Sequence, residues 1–122
     1  MIDDNRFSIA GRMRAFGFAF AGLVYVFKTQ HAIWIQSCIA ACVVLMGFYL
    51  HISFSDWRSI ALAITLVWTT EIMNTAVETV CDALHPEHHK MIGIAKDASA
   101  GAVLMAAIGA AAIGVLTFWP YL

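Results

Sequence analysis

The sequence predicts an all-α integral membrane protein, with an interfacial amphipathic helix at the N-terminus followed by three transmembrane helices. Three observations lead there. Hydrophobic residues occupy 61% of the 122 positions and charged residues only 12%, a balance far from that of a soluble globular domain. Three apolar stretches approach the roughly 20 residues that a helix needs to cross a bilayer. The seven Lys and Arg residues are confined almost wholly to alternate connections, as in a chain threaded through a membrane.

Residues 1–30 contain "RMRAFGFAFAGLVYVFK", a short apolar run flanked by Arg12, Arg14 and Lys28. A secretory signal would need a small-residue cleavage site, and a spanning segment follows almost at once instead. Too short to span comfortably, the run reads as a helix lying in the interface, Phe and Leu in lipid and the cations at the headgroups. The first span is 33–50, "IWIQSCIAACVVLMGFYL". The short, turn-like "HISFSDW" leads to the second, 59–82, apolar in its first dozen residues and acidic afterwards. Residues 83–97, "ALHPEHHKMIGIAKD", form a polar loop broken by Pro86, and the third span is 98–119. All of this fits one membrane domain.

Arg6, Arg12, Arg14 and Lys28 precede the first span, and Lys90 and Lys96 lie between the second and third; Arg58 alone is on the other side. The N-terminus and the Pro86 loop are therefore expected in the cytoplasm and the C-terminus outside. Trp57, Trp119 and Tyr121 then fall at the outer interface, where aromatic side chains collect. Net charge is −1 with no basic run, so the electrostatic footprint of nucleic-acid binding is missing. Cys38, Cys42 and Cys81 lack the spacing of a zinc knuckle or a redox pair and read as small packing residues. His85, His88 and His89 follow a proline without a spacing that a helix face would fix, and read as loop residues. Ala102, Ala106, Ala110 and Gly114 form a small-residue row, which implies close helix packing and no chemistry.

The chemistry lies in "TTEIMNTAVETVCD". At ~100° per residue, Glu71, Asn74, Glu78 and Asp82 fall at roughly 0°, 300°, 340° and 20°, on one face of the second span. A carboxylate at membrane depth is costly unless paired, metal-bound or protonated, and is by default a functional-site candidate. Such acids can also tie helices together by hydrogen bonds. Three on one face, however, repel unless a cation sits among them. Glu71, the deepest, suits a proton acceptor, with Asn74 orienting it or lending an oxygen. Glu78 and Asp82, nearer water, suit Mg²⁺, a hard cation that takes carboxylate oxygens. Lys96 is either a snorkelling anchor, with Asp97 at a helix start, or the cation that meets nucleotide phosphates. A deep base, metal-binding acids and an interfacial lysine are the parts of phosphoryl transfer to a membrane alcohol. A divalent-cation or proton pathway explains the acids but leaves a lysine at its mouth that would repel cations. A structural membrane subunit with a weakened site is the third reading.

The motifs E-x-x-N-x-x-x-E-x-x-x-D in "EIMNTAVETVCD", then "PEHH" and "IAKDASAGAVL", resemble the prokaryotic diacylglycerol kinase family of small three-span lipid kinases, undecaprenol kinases included. The resemblance extends from the "AGL" around Gly22 to the third helix. It implies a homotrimer in the bacterial inner (cytoplasmic) membrane, with active sites shared between subunits, that uses MgATP to phosphorylate a lipid hydroxyl of diacylglycerol or undecaprenol. It also implies Glu71 as catalytic base beside Asn74, Glu78 as a metal ligand, and Glu87, His89, Lys96 and Asp97 as nucleotide contacts. Where relatives carry a second metal-binding glutamate this chain has Gln30, which offers an oxygen but no charge. The nucleotide-contacting arginine of relatives aligns near Gly11, which makes Arg12 its counterpart.

Overall fold

The computed structural model describes residues 8–84 and 89–122. Four α-helices follow one another: α1 (Ile9–Thr29), α2 (His31–Leu50), α3 (Phe54–Leu84) and α4 (Lys90–Phe118), with a closing 3₁₀ turn at Trp119–Tyr121. All four are long and apolar enough, by length and composition, to cross a membrane. Their surfaces agree with that. Leu45, Phe48, Leu62, Leu104, Met105, Ile108 and Leu116 are among many large apolar side chains left exposed. In water such a surface would drive aggregation, whereas lipid tails are as apolar as leucine.

The N-terminal run extends further than its apolar core suggests. Ser8 caps α1 by accepting from the Gly11 amide at 2.9 Å, and the helix holds for 21 residues until Gln30, whose extended backbone also opens α2. No glycine or proline makes this break. A side chain takes over one of the last carbonyls of α1 instead, the Trp34 indole N–H donating to that of Phe27 at 2.6 Å, while Thr29 Oγ1 donates back to the Tyr25 carbonyl at 2.8 Å. Helix ends leave such acceptors unmet, and satisfying them fixes where the helix stops. The Phe27 ring meets the edges of Trp34 (5.7 Å) and Trp68 (6.3 Å), which ties the end of α1 to both α2 and α3. Of α1, only Val26 is buried.

At the other end of α2, His51 adopts the left-handed conformation (φ 53°). Its amide donates to Phe48 O and that of Ile52 to Gly47 O, the paired closure of a Schellman motif. The sequence reading treats 51–57 as a turn, but α3 already begins at Phe54. Ser53 Oγ accepts from the Asp56 amide at 3.2 Å and Asp56 lies in the first turn, a start signal of the S-x-x-D kind. Tyr121 fastens the C-terminal turn here: its hydroxyl donates to Asp56 Oδ2 at 2.5 Å and accepts from the Ser53 amide at 3.2 Å. Beneath them Ile52, Ile60 and Phe118 form a small core flanked by Val43, Trp57 and Ile113. Tyr121→Phe removes both bonds while keeping the ring. Faster amide exchange at Ser53 and a lower thermal midpoint in detergent are the expected results.

α4 also starts earlier than the 83–97 loop reading allows. His89 caps it, its Nδ1 accepting from the Met91 amide at 3.1 Å, and Lys90 to Asp97 form its first two turns. Ile92 and Ala95 are half-buried there while Met91 and Ile94 stay exposed, and His85, Pro86, Glu87 and His88 fall outside the described residues. α3 and α4 pack along one another more extensively than any other pair. At 1.5 Å per residue the 31 residues of α3 span about 46 Å, more than the ~30 Å hydrocarbon thickness. α3 is thus longer than a span along the bilayer normal requires.

Candidate active site

The polar face of α3 runs from buried to exposed. Glu71 is 5% exposed, Asn74 and Glu78 are half-buried, and the Asp82 side chain is 66% exposed. Eleven residues separate the first acid from the last, about 16 Å along the axis. Hydroxyls bond back to the helix along this stretch: Thr75 Oγ1 donates to the Glu71 carbonyl at 3.0 Å and Thr79 Oγ1 to that of Thr75 at 2.8 Å.

Glu71 is held from α2. Gln36 Nε2 donates to Glu71 Oε2 at 3.2 Å, a neutral hydrogen bond to a carboxylate that otherwise keeps its lone pairs. Gln36 is the site residue that the sequence reading passes over. The signal was present, since an amide in the middle of "IWIQSCIAAC" is costly in lipid without a partner. One turn along α3, Asn74 Nδ2 donates to Glu78 Oε1 at 3.4 Å, while Asn74 Oδ1 is buried with no partner among the described residues. At the exposed end Lys96 Nζ and Asp82 Oδ1 form an ion pair at 2.8 Å, the lysine side chain 40% exposed. Solvent screens a pair this open, so it orients the two side chains more than it stabilises the fold.

Of the residues that the sequence nominates, Glu71, Asn74 and Glu78 lie together on α3, and Asp82 is paired with Lys96 rather than turned toward Glu78. Asp97 is exposed. It is 100° around α4 from Lys96, so the two do not share a face. Gln30 lies at the junction of α1 and α2, where its Nε2 donates to Thr29 Oγ1 at 3.4 Å. Arg12 is exposed on the second turn of α1. His89 is the α4 cap, and Glu87 lies outside the described residues.

No three or more His, Cys, Asp or Glu side chains gather into a ready-made metal cage among the described residues. A magnesium ion needs no such cage, because it binds one or two carboxylates and completes its shell with phosphate and water oxygens. The Glu78 carboxylate and the unpartnered Asn74 Oδ1 fit that demand.

The family profile for prokaryotic diacylglycerol kinase matches residues 17–118. The chain is 32% identical to the undecaprenol kinase of Bacillus subtilis (strain 168), over 98% of this chain and 97% of that one. It is 38% identical to a diacylglycerol kinase of Synechocystis sp., over 82% of this chain and 58% of that protein. To the diacylglycerol kinase of Escherichia coli (strain K12) it is 27% identical, over 89% of each.

Proposed function

Because the chain belongs to the prokaryotic diacylglycerol kinase family and is accordingly a membrane lipid kinase, we propose that it transfers the γ-phosphate of ATP to the hydroxyl of diacylglycerol or undecaprenol. The observation that carries the residue assignment is the Glu71 carboxylate, buried beside Gln36 at the foot of a polar ladder that ends at an exposed Lys96–Asp82 pair.

In this reading Glu71 takes the proton of the lipid hydroxyl as its oxygen attacks the γ-phosphorus. The new O–P bond forms, the bond from the γ-phosphorus to the bridging oxygen breaks, and ADP departs. The proton returns to water along the polar face of α3. Glu78 and the Asn74 carbonyl oxygen would hold Mg²⁺, with Asp82 and Gln30 at its margins. An ion held there would neutralise charge on the phosphates and orient them. Lys96, steered by Asp82, meets phosphate oxygens, and His89, Glu87, Asp97 and Arg12 complete the nucleotide contacts. The binding energy of this set is of the electrostatic, preorganised kind that phosphoryl transfer relies on.

The topology that goes with this chemistry has α2, α3 and α4 crossing the bacterial inner membrane and α1 lying in its cytoplasmic face, with the N-terminus inside. α1 is nearly all exposed, carries Arg12, Arg14 and Lys28, and touches the bundle mainly through its last turns. Three spans do not enclose a polar face from every side. A neighbouring copy would cover it, in a homotrimer with sites between subunits.

The direct test is phosphate incorporation from ATP into diacylglycerol and undecaprenol by the purified protein, each supplied alone. Product from neither lipid would refute the reading. A second expectation concerns the neutral amide at Gln30. Gln30→Glu adds a charge where only an amide oxygen is offered, and the Mg²⁺ concentration for half-maximal activity should fall roughly tenfold, equivalent to about 1.4 kcal/mol and within the reach of one further carboxylate near a cation. An unchanged Mg²⁺ titration would place Gln30 away from the ion.

A further inference from the structure

The Glu71 side chain ends in two chemically equal oxygens on a soft torsion. That torsion is broad and nearly two-fold, so burial alone, at 5% exposure, does not decide where either oxygen points. A general base needs the decision made, because its lone pair must lie within hydrogen-bond reach of the proton it takes. The neighbouring polar side chains of α3 do not make it. Thr75 Oγ1 bonds the backbone carbonyl of Glu71, and Asn74 Nδ2 donates to Glu78. The bond to the carboxylate comes from α2, where Gln36 Nε2 donates to Oε2 at 3.2 Å. Ile33, one turn before Gln36, is fully buried, which seats that turn of α2 against its neighbours.

An amide in this place has a cost. Gln36 Oε1 is buried with no partner among the described residues, a penalty that leucine or methionine at the same position would avoid. What the amide adds in return is one N–H on the carboxylate. It also adds no charge. A lysine there would neutralise the base and crowd its lone pairs with up to three donors, and a second ionised acid could only accept and would set like charge beside like. A neutral donor steers the carboxylate and leaves its charge as it was.

We propose that Gln36 is the positioning residue of the base: by engaging Oε2 it fixes the plane of the Glu71 carboxylate and leaves Oε1 as the atom that takes the proton of the acceptor hydroxyl. The two oxygens of one side chain thereby have separate tasks. Gln36 acts on the rate through Glu71, and on the binding of neither substrate. Because the donor stands on α2 and the carboxylate on α3, the geometry of the base depends on the register of those two helices. This rests on the reading of Glu71 as the base of a lipid kinase.

The test uses purified protein, MgATP and whichever of diacylglycerol and undecaprenol the parent phosphorylates. Gln36→Met keeps the length of the side chain and removes the donor; Gln36→Asn keeps the amide and withdraws it by one methylene, so that one variant carries the test if the other folds poorly. Each should lower kcat by about 10–10²-fold, the range expected when a reacting group is misplaced by an ångström or so, with the KM values for lipid and MgATP unchanged. The decisive arm is the double variant. Glu71→Gln combined with Gln36→Met should turn over no slower than Glu71→Gln alone, because groups that act as a unit lose their effect together. A folded Gln36→Met with the parent's kcat, a raised KM at the parent's kcat, or a double variant slower than Glu71→Gln by the full factor of the single one would each overturn the positioning role. If Glu71→Gln is slow while any of these occurs, that role fails alone. If Glu71→Gln keeps the parent's kcat, the base assignment fails and the positioning role falls with it.

Discussion

Glu71→Gln is expected to lower kcat for lipid phosphorylation by about 10²–10⁴-fold, the range that a positioned general base contributes. The substitution is nearly isosteric. An amide keeps a hydrogen bond with Gln36 across the 3.2 Å contact, and neutralising a buried carboxylate relieves rather than adds a desolvation cost. The variant should therefore fold and retain its thermal midpoint. What it loses is the lone pair that takes the hydroxyl proton. Because Glu71 is 5% exposed and sits well below the Lys96–Asp82 pair, water is a poor substitute for it there. Steady-state rates with saturating MgATP and lipid provide the check, and a variant as fast as the parent would remove Glu71 from the mechanism.

Gly47→Val is expected to destabilise the bundle by about 1–3 kcal/mol, the usual cost of forcing extra carbons into a packed site. Gly47 is buried on α2 where Trp57 of α3 crosses it, and a Cβ there would lie 2.7 Å from Trp57 Cη2 and 3.1 Å from Ile52 Cδ1. Neither neighbour has an easy retreat. The Trp57 ring leans on Phe48 at 4.8 Å, and Ile52 belongs to the small core with Ile60 and Phe118. Denaturation in detergent should register the loss. Fourteen residues of α3, about 21 Å, separate Trp57 from Glu71, so the folded fraction should keep the parent's KM values. A fall in activity at unchanged stability would show instead that this crossing communicates with the site.

The polar ladder was legible because helical periodicity needs no partner: any α-helix through residues 71–82 brings Glu71, Asn74, Glu78 and Asp82 to one face. Boundaries were less so. "HISFSDW" and "HHKMIGIAKD" carry enough polar residues to resemble loops, and only their packing against neighbouring elements, together with the Ser53 and His89 caps, shows that helix begins within each. Lys96 and Asp97, adjacent in sequence, part company for the same reason, one turned to Asp82 and the other to the exposed side of α4.

From the chain alone came the all-helical membrane class, the apolar segments and the acids of α3, since bilayer energetics and the 3.6-residue repeat act on each segment separately. Tertiary structure decided which groups meet: Gln36 with Glu71 across 35 positions, Tyr121 with Asp56 across 65, Lys96 with Asp82 across 14. Such pairings depend on how three helices pack and at what height each one stops. No local pattern in one helix encodes the register of another, and so the partner of the central carboxylate emerged only when the helices were assembled.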